Sequence, residues 1–407
     1  MSKVPGPKWA AVSKVPIALI SWRGDLSYWL RDLHDKYNSD AIRVSPHEVS
    51  FISPSAWKDI YAHHQGQRPF QKDLVLFGDI KNIVTANDAD HARIRRLLSH
   101  GFSEKALREQ EPLIESYVDT LFSQIRTRIQ DKGHRTANLT DWFNWFTMDV
   151  ISDLSFAESF DCLHSPDYHP YVSGIAQSLK QIVLLSQAMR FSSLAWFLRL
   201  YVPRKLTEAR SGFEQMAVER TNRRMETTTS RPDFIGYILR HNDEKGLTLS
   251  EMHGIGPSLI IAGSETTASL LAAATYLLLV HPDCYTKARN EVRGKFRDKK
   301  NMTLDAIIAD LPYLQAVITE SLRLYPPGIH GQPRFVPPEG ASISGNYYPP
   351  GTSVQMNIYA ANNASRNFSA PERFIPERWL GDERFVDDKR DAMQPFGVGA
   401  RNCIGKK

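Results

Sequence analysis

The stretch Phe396-Gly-Val-Gly-Ala-Arg401-Asn-Cys403-Ile-Gly405 places one cysteine in a glycine-rich loop, two residues after an arginine. A thiolate is a strong metal ligand, and glycines let backbone N–H groups approach the sulfur and stabilise its negative charge. Arg401 adds positive charge nearby. The alternative interpretation is a buried free cysteine beside a turn, which is the commoner environment of this residue. The combination of residue types at these spacings favours the metal ligand.

The composition is that of an ordinary globular protein, with 42% hydrophobic and 23% charged residues among 407, which excludes disordered, collagenous and coiled-coil classes. A net charge of +5, spread along the chain, predicts no nucleic-acid partner but is compatible with an anionic membrane surface. Three distant cysteines exclude a disulfide framework and a four-ligand zinc site, which favours a reducing compartment. The N-terminal residues predict neither a signal peptide nor a membrane anchor.

The hydrophobic pattern predicts one α-rich domain over residues 1–407, with minor sheets built from distant segments. The apolar stretch 258–280 predicts a buried helix and not a membrane span, because polar residues at 263–267 interrupt it. The other predicted elements are an irregular Pro-rich segment at 1–24, a helix at 25–37, strands at 41–45 and 48–52, and a helix from Pro54 to about residue 63. Helices are predicted over most of 88–254, with breaks at Gly101, 132–133, 161–170 and 227–232. A β region at 341–356 with a hairpin turn at 344–346 and a loop-rich end follow.

The loop fits the pattern Phe-x-x-Gly-x-Arg-x-Cys-x-Gly through Phe396, Gly399, Arg401, Cys403 and Gly405. In this it resembles the haem-binding loop of the cytochrome P450 family of haem-thiolate monooxygenases. The resemblance implies a mainly α fold with minor β-sheets and a haem b cofactor. It also implies that Cys403 is the axial iron ligand and that Phe396 and Arg401 contact the cofactor.

Three further motifs follow in the family's order, and the first is Ala-Gly-Ser-Glu265-Thr266-Thr within the apolar stretch. An acid and a hydroxyl beside glycine in a buried helix are locally costly. The resemblance implies that Glu265 and Thr266 relay protons for oxygen activation where the helix is locally opened. Taken alone, the motif is equally compatible with a core helix whose threonine bonds back to its own helix.

The second motif is Glu320-Ser-Leu-Arg323, whose acid and base share one helix face at a spacing of three residues. Alone it would indicate only a surface ion pair. The resemblance implies a structural triad with a later arginine. Of the two candidates, Arg373 and Arg378, we choose Arg378 because Phe-x-Pro-Glu-Arg-Trp matches the family's register.

The third set would bind the haem propionates, which need cations or hydrogen-bond donors. His91 and Arg95 lie four residues apart, on one face of a predicted helix. They resemble the family's Trp-or-His-x-x-x-Arg motif, and Arg334 matches a further propionate arginine. The alternative for His91 is a solvent-facing histidine.

The leading functional hypothesis is a monooxygenase that inserts one oxygen atom from dioxygen into an apolar small molecule. Its electrons would come from NADPH through NADPH-cytochrome P450 reductase. The resemblance extends to fungal secondary-metabolism members such as isotrichodermin-type hydroxylases, and it implies the cytoplasmic face of the endoplasmic reticulum membrane. Substrate contacts are expected from 70–87, 172–200 and 327–330. Two alternatives remain: a haem-thiolate isomerase or dehydratase, and a catalytically silent relic.

The chain stops at Lys407, four residues after Cys403, whereas family members continue with a helix and further strands. It also lacks the membrane anchor expected ahead of its Pro-Gly-Pro segment. We therefore expect a P450 fold that is incomplete at both ends, without its last helix and strands. Weak haem binding is the expected consequence.

Overall fold

The structure is a computed structural model, and it describes residues 3–62, 68–73, 82–130, 136–165, 204–229, 231–241 and 246–406. The α-helices among these residues are α1 (Val15–Arg23), α2 (Leu26–Lys36), α3 (Pro54–Tyr61), α4 (Asp88–Leu98), α5 (Glu104–Gln130), α6 (Leu139–Phe156), α7 (Arg204–Glu226), α8 (Phe234–Arg240), α9 (Leu249–Val280), α10 (Pro282–Lys295), α11 (Leu304–Asp310), α12 (Pro312–Leu324) and α13 (Ile358–Asn363). The strands are β1 (Ala41–Ser45), β2 (Glu48–Phe51), β3 (Gln71–Lys72), β4 (Arg334–Phe335), β5 (Ala341–Ile343), β6 (Asn346–Tyr348) and β7 (Ser353–Met356). The predicted fold class, mainly α with minor sheets, is confirmed.

The chain divides into two compact units. Unit one comprises Met1–Asp73 and Ala273–Cys403, and unit two comprises Leu74–Ala272 and Ile404–Lys407. Each unit therefore contains residues from distant parts of the sequence. The expectation of a single domain over 1–407 stays a prediction.

Unit one contains both sheets. Its five-stranded sheet has the order β1-β2-β7-β4-β3, in which β2 and β7 are parallel and the other pairs are antiparallel. Val49 pairs with Val354, and Phe51 with Met356, and all four side chains are buried. Because the sheet joins strands from both ends of the chain, it brings the C-terminal third against the N-terminal lobe of the same unit.

The predicted helix start and hairpin turn are both confirmed. Ser53 caps α3 by accepting a hydrogen bond from the Ala56 N–H, and Pro54 occupies the first turn, where its missing N–H costs nothing. Strands β5 and β6 are joined by Ser344 and Gly345, both with positive φ, as a type I′ turn requires.

The prediction of an irregular segment at 1–24 is wrong, because Lys8–Ala11 form a 3-10 helix and α1 follows it. Prolines misled the prediction: Pro16 lies in the first turn of α1, a position that tolerates proline. Ile17 is buried, and Gly24 ends the helix in the left-handed conformation.

Unit two is helical in its described residues, as predicted, and α4, α6 and α8 pack around one hydrophobic core. The predicted break at Gly101 is a 3-10 helix at Ser99–Phe102, which packs against α8. The predicted break at 132–133 and residues 166–170 lie outside the described residues.

Helix α9 confirms the predicted long apolar helix, but its burial is only partial, since Leu279 is 65% exposed. Within the described part of the chain, none of the helices is long and apolar enough to cross a membrane.

Candidate active site

The cysteine loop folds back on itself in unit one. Gly397 and Gly399 have φ of 67° and 79°, a left-handed conformation that costs glycine little. The Cys403 N–H donates to the Phe396 carbonyl over 2.8 Å. Two residues of the predicted site, Phe396 and Cys403, are therefore brought together by the backbone.

Among the chain's three cysteines, Cys403 is the exposed one, while Cys162 is buried and Cys284 is half-buried. Burial raises the pKa of the Cys162 and Cys284 thiols, which disfavours their thiolates. Cys403 follows the half-buried Arg401 by two residues, and an accessible thiol in such a loop is able to reach a metal. The residues fit a thiolate-bound haem iron, and the alternative of a buried cysteine is excluded.

Arg334, the predicted propionate ligand of unit one, lies in β4 and is only 6% exposed. Its guanidinium carbon lies 5.4 Å from the centroid of the Tyr61 ring. A buried cation held on an aromatic face is well suited to bind an anionic group.

Glu320 and Arg323 form a fully buried, bidentate ion pair in α12. Arg323 Nε donates to Glu320 Oε2, and its Nη2 donates to Oε1, both over 2.8 Å. The carboxylate also accepts hydrogen bonds from the Trp379 indole N–H at 2.9 Å and the Ile375 N–H at 3.1 Å. This is therefore a core ion pair and not the surface pair considered above.

The structure also brings Arg378 to this carboxylate, with its Nε 3.4 Å from Glu320 Oε1. Arg378 is itself fully buried and makes a second ion pair with Asp388, which is 9% exposed. Its Nη2 donates to the Ser369 carbonyl over 2.9 Å. Arg373 instead contributes its backbone carbonyl to the Arg323 guanidinium, over 3.0 Å.

Sequence reasoning missed Asp388, 68 residues from Glu320, and it predicted no contact for Trp379, 59 residues away, although this residue ends the Phe-x-Pro-Glu-Arg-Trp motif. Neither residue belongs to a spaced pattern with Glu320. The only available signal was the balance of charge, because two buried arginines require more than one carboxylate.

In unit two, His91 and Arg95 share one face of α4, as predicted. His91 is 5% exposed and Arg95 is half-buried. The alternative of a solvent-facing His91 is therefore excluded.

Arg93, on the opposite face of α4 from His91 and Arg95, is a residue that sequence reasoning missed. Its Nη2 donates to Glu251 Oε1 over 2.5 Å and to Asp90 Oδ1 over 3.0 Å. The guanidinium lowers the pKa of Glu251 to about 2. This pair connects α4 to the first turn of α9.

Glu265 and Thr266 lie in α9, with Glu265 half-buried and Thr266 exposed. Burial raises the pKa of the Glu265 carboxyl. The Thr266 hydroxyl donates to the Ala262 carbonyl over 2.6 Å, so it remains able to accept a hydrogen bond. Glu265 is thus an acid that holds its proton more readily than an exposed carboxyl, and Thr266 is a hydroxyl whose one proton is donated within its own helix.

The expected local opening of this helix is not observed, because α9 is continuous over its whole length. The hydroxyl groups of Ser264 and Thr266 both donate to carbonyls four residues earlier in the same helix. For Thr266 this is the arrangement that the alternative interpretation expects. Gly263 serves packing instead: a Cβ at this position would lie 2.5 Å from Ile151 Cδ1 in α6. The glycine therefore permits close approach of two helices of unit two.

Only part of the expected substrate-contact regions can be assessed. Residues 172–200, and 74–81 within 70–87, lie outside the described residues. In 327–330, Ile329 is 45% exposed, whereas the His330 ring is 2.8 Å from the Asn357 amide. Ile329 is therefore the accessible apolar side chain of this segment.

Comparison with known proteins agrees with this chemistry. The family model described as Cytochrome P450 matches residues 17–407. Cytochrome P450 monooxygenase astJ of Aspergillus oryzae is 40% identical over 100% of this chain and 82% of its own length. Cytochrome P450 monooxygenase lcsI of Purpureocillium lilacinum is 39% identical over 100% and 80%. Averantin hydroxylase of Dothistroma septosporum is 36% identical over 100% and 77%.

The family match and the relatives cover nearly the whole chain and agree with the cysteine loop. Members of this family carry a haem-thiolate iron, act on small molecules and generally use a redox partner. The chain belongs to the cytochrome P450 family, among the monooxygenases of fungal secondary metabolism.

Proposed function

We propose that this protein is a haem b monooxygenase that hydroxylates an apolar small molecule in fungal secondary metabolism. The observation that carries the proposal is the exposed Cys403 in its glycine loop, the one accessible thiol among the chain's three cysteines. When bound, the haem supplies the iron that activates dioxygen. NADPH-cytochrome P450 reductase is the proposed source of electrons.

The proposed roles of the remaining residues follow from their charge and burial. Arg334 in unit one, and His91 and Arg95 in unit two, are suited to bind propionates because each places a donor in a buried or half-buried position. Glu265 holds a proton more readily than an exposed carboxyl, since burial raises its pKa. The Thr266 hydroxyl donates its proton to the Ala262 carbonyl, and its lone pairs are able to accept a hydrogen bond from a proton donor.

Haem binding through Cys403 is tested by substitution. The full chain is loaded with haemin, reduced and exposed to carbon monoxide, and the absorption band of a thiolate-ligated complex is recorded. We expect Cys403→Ser to abolish this band. Cys284→Ser, which removes a half-buried thiol elsewhere in unit one, is the control and should leave the band unchanged. A full thiolate band from Cys403→Ser would refute the ligand assignment.

The monooxygenase and isomerase hypotheses differ in their need for reductant. In one arm, the haem-loaded protein receives NADPH, reductase, dioxygen and averantin. Averantin is the first probe because one relative is named averantin hydroxylase. In the other arm, it receives an organic hydroperoxide without NADPH. A monooxygenase consumes NADPH in step with hydroxylated product, whereas an isomerase rearranges the peroxide without it. In the first arm, Thr266→Ala should lower the product formed per NADPH.

We further propose that the protein works at the cytoplasmic face of the endoplasmic reticulum membrane. Val15, Leu19 and Trp22 lie on one face of α1, and each is about half exposed at 50%, 49% and 49%. Residues 1–24 contain three lysines and one arginine but no acidic residue. An apolar helix face flanked by cations is suited to lie on an anionic lipid surface.

This membrane proposal is tested by co-sedimentation with lipid vesicles. The full chain should bind phosphatidylcholine vesicles that contain phosphatidylserine more strongly than vesicles without it. The double variant Leu19→Ser with Trp22→Ser should lose most of this binding. The control is Val386→Ser, at an apolar residue of unit one that is 76% exposed outside α1. Equal binding by the double variant and the control would contradict the proposal.

A further inference from the structure

Tyr61, the last residue of α3, contacts two parts of unit one that carry candidate haem ligands. The first part is the segment around Arg334. The Tyr61 ring lies under the Arg334 guanidinium, whose carbon is 5.4 Å from the ring centroid. This distance is within the range of a cation–π interaction, which restricts where the guanidinium lies.

The hydroxyl of Tyr61 binds the backbone just before that arginine and the backbone of β7, the strand that pairs with β4. It donates to the Gln332 carbonyl over 2.9 Å and accepts from the Met356 N–H over 3.3 Å. Burial raises the pKa of Tyr61 to about 12, so the phenol keeps its proton and its donor role at physiological pH. Gly331 leaves room for the contact, because a Cβ there would lie 2.7 Å from the Tyr61 oxygen.

The second part is the cysteine loop. Gly399, four residues before Cys403, approaches the Tyr61 backbone so closely that a Cβ would lie 2.0 Å from the Tyr61 carbonyl oxygen. Gly399 also has a φ of 79°, which disfavours any other residue. Helix α3 makes a further contact before this loop, where the Trp57 indole N–H donates to the Ala392 carbonyl over 2.9 Å.

We propose that Tyr61 is a positioning residue of the haem site, which fixes the Arg334 guanidinium through its side chain and the Cys403 loop through its backbone. The proposal rests on the proposed function, since it takes Arg334 and Cys403 as haem contacts. Tyr61 itself need not touch the cofactor. Its effect is to hold an anion-binding cation and a metal-binding thiol of unit one in one arrangement.

The test measures retention of haem and not turnover. Full-length protein loaded with haemin is mixed with excess apomyoglobin, and the rate of haem transfer is followed. Tyr61→Phe keeps the ring under Arg334 but removes both hydroxyl bonds, and we expect haem loss to accelerate about threefold. Tyr61→Leu removes the ring as well, and we expect about tenfold or more.

Tyr348→Leu is the matched control, because Tyr348 is a second tyrosine of unit one, buried and packed edge-on against Phe51. Its loss should lower the stability to urea without changing the rate of haem transfer from folded protein. Gly399→Ala tests the backbone contact separately, and we expect it to weaken the thiolate absorption band of the carbon monoxide complex.

The outcomes separate the two proposals. If the unmodified protein gives no thiolate band, the haem function fails and the role of Tyr61 fails with it. If the band is present but Tyr61→Leu releases haem no faster than Tyr348→Leu, the positioning role alone is overturned. Graded release, with Tyr61→Phe between the unmodified protein and Tyr61→Leu, supports it.

Discussion

Replacing Glu320 with glutamine removes the carboxylate that lies between two buried arginines. The side chains of Glu320, Arg323 and Arg378 are all 0% exposed. Arg378 keeps a second carboxylate partner, Asp388. The other hydrogen-bond acceptors that the structure gives the Arg323 guanidinium are the backbone carbonyls of Asn362, Pro371 and Arg373. The substitution therefore leaves the Arg323 charge buried without its anion.

The expected cost follows from this geometry. Removing one partner of a buried ion pair costs about 3–5 kcal/mol, because the other charge remains desolvated. The amide N–H₂ of glutamine also faces donors: in the place of Oε2 it would lie against Arg323 Nε and the Trp379 indole N–H, which would both lose their acceptor. We expect Glu320→Gln to lower the free energy of unfolding by about 3 kcal/mol or more.

The assay is urea unfolding of the full chain. The urea concentration at the midpoint is compared between variant and unmodified protein, provided that the slope of the unfolding free energy against urea is the same in both. Asp32→Asn is the matched control, since it removes the carboxylate of an exposed ion pair with Arg31 in the same unit. Exposed pairs of this kind contribute about 0–1 kcal/mol. If Glu320→Gln cost no more than Asp32→Asn, the reasoning that the triad is a buried structural device would be refuted.

Three further predictions concern pH and packing. His34 is buried and its pKa is lowered to about 4, so folding stability should fall as the pH drops from about 6.5 to about 4, by up to about 3 kcal/mol. Arg93 lowers the pKa of Glu251 to about 2. The contribution of this ion pair to the free energy of unfolding should therefore be fully present above about pH 4.5 and lost as the pH falls toward 2. Gly263→Ala should destabilise unit two by about 1–3 kcal/mol, because its Cβ would meet Ile151.

Each of these has a measurement and a control. Urea unfolding at a series of pH values should show the first dependence in the unmodified protein and not in His34→Gln. Glu251→Gln should remove the loss of stability between about pH 4.5 and 2 and leave the His34 dependence intact. If stability fell equally with pH in this variant below pH 4.5, the role of the Glu251–Arg93 pair would be contradicted. Ile151→Ala removes both side-chain atoms that lie within 3 Å of the new Cβ, Cδ1 at 2.5 Å and Cγ1 at 2.6 Å, so Gly263→Ala should cost less stability in that background than it does alone.

The direction of the His34 effect follows from its hydrogen bonds. Its Nδ1 lies 2.8 Å from the Ser39 carbonyl, which can only accept, so Nδ1 carries the proton. Its Nε2, 3.0 Å from the Ser50 hydroxyl, therefore accepts in the neutral ring. Below about pH 6.5 the unfolded chain binds a proton that the folded protein takes up only near pH 4. The unfolded state is thus favoured by acid in this window.

Patterns local in sequence allowed much of the fold to be predicted. The strands 41–45 and 48–52, the capped helix α3 and the hairpin at Ser344 each depend on residues within a few positions of one another. The segment at 1–24 was predicted wrongly because its prolines were interpreted as breakers, although one of them begins α1. Helix α9 is continuous where a local opening was expected. The hydroxyl groups of Ser264 and Thr266 donate to carbonyls of their own helix and do not interrupt it.

Candidate site residues were found by motif, but their long-range partners were not. Glu320 and Arg323 lie on one helix face, so their contact could be predicted from spacing. The contacts of Tyr61 with Arg334 and Gly399 could not, because they join residues 273 and 338 positions apart and match no short pattern. Such contacts are set by how the sheet of unit one assembles.

The buried arginines explain how a long irregular segment is held in place. Residues 364–403, all of them described, contain no α-helix or strand, and their three 3-10 helices begin only at Pro376, so the carbonyls at 369–373 lie outside regular structure. Arg323 and Arg378 donate to carbonyls of this segment at Ser369, Pro371 and Arg373. A guanidinium has five N–H donors, enough to bind a carboxylate and carbonyls together, which lysine cannot do in the same geometry. These hydrogen bonds thus offset part of the desolvation cost of the three buried ion pairs, and they hold in place the chain that leads to Cys403.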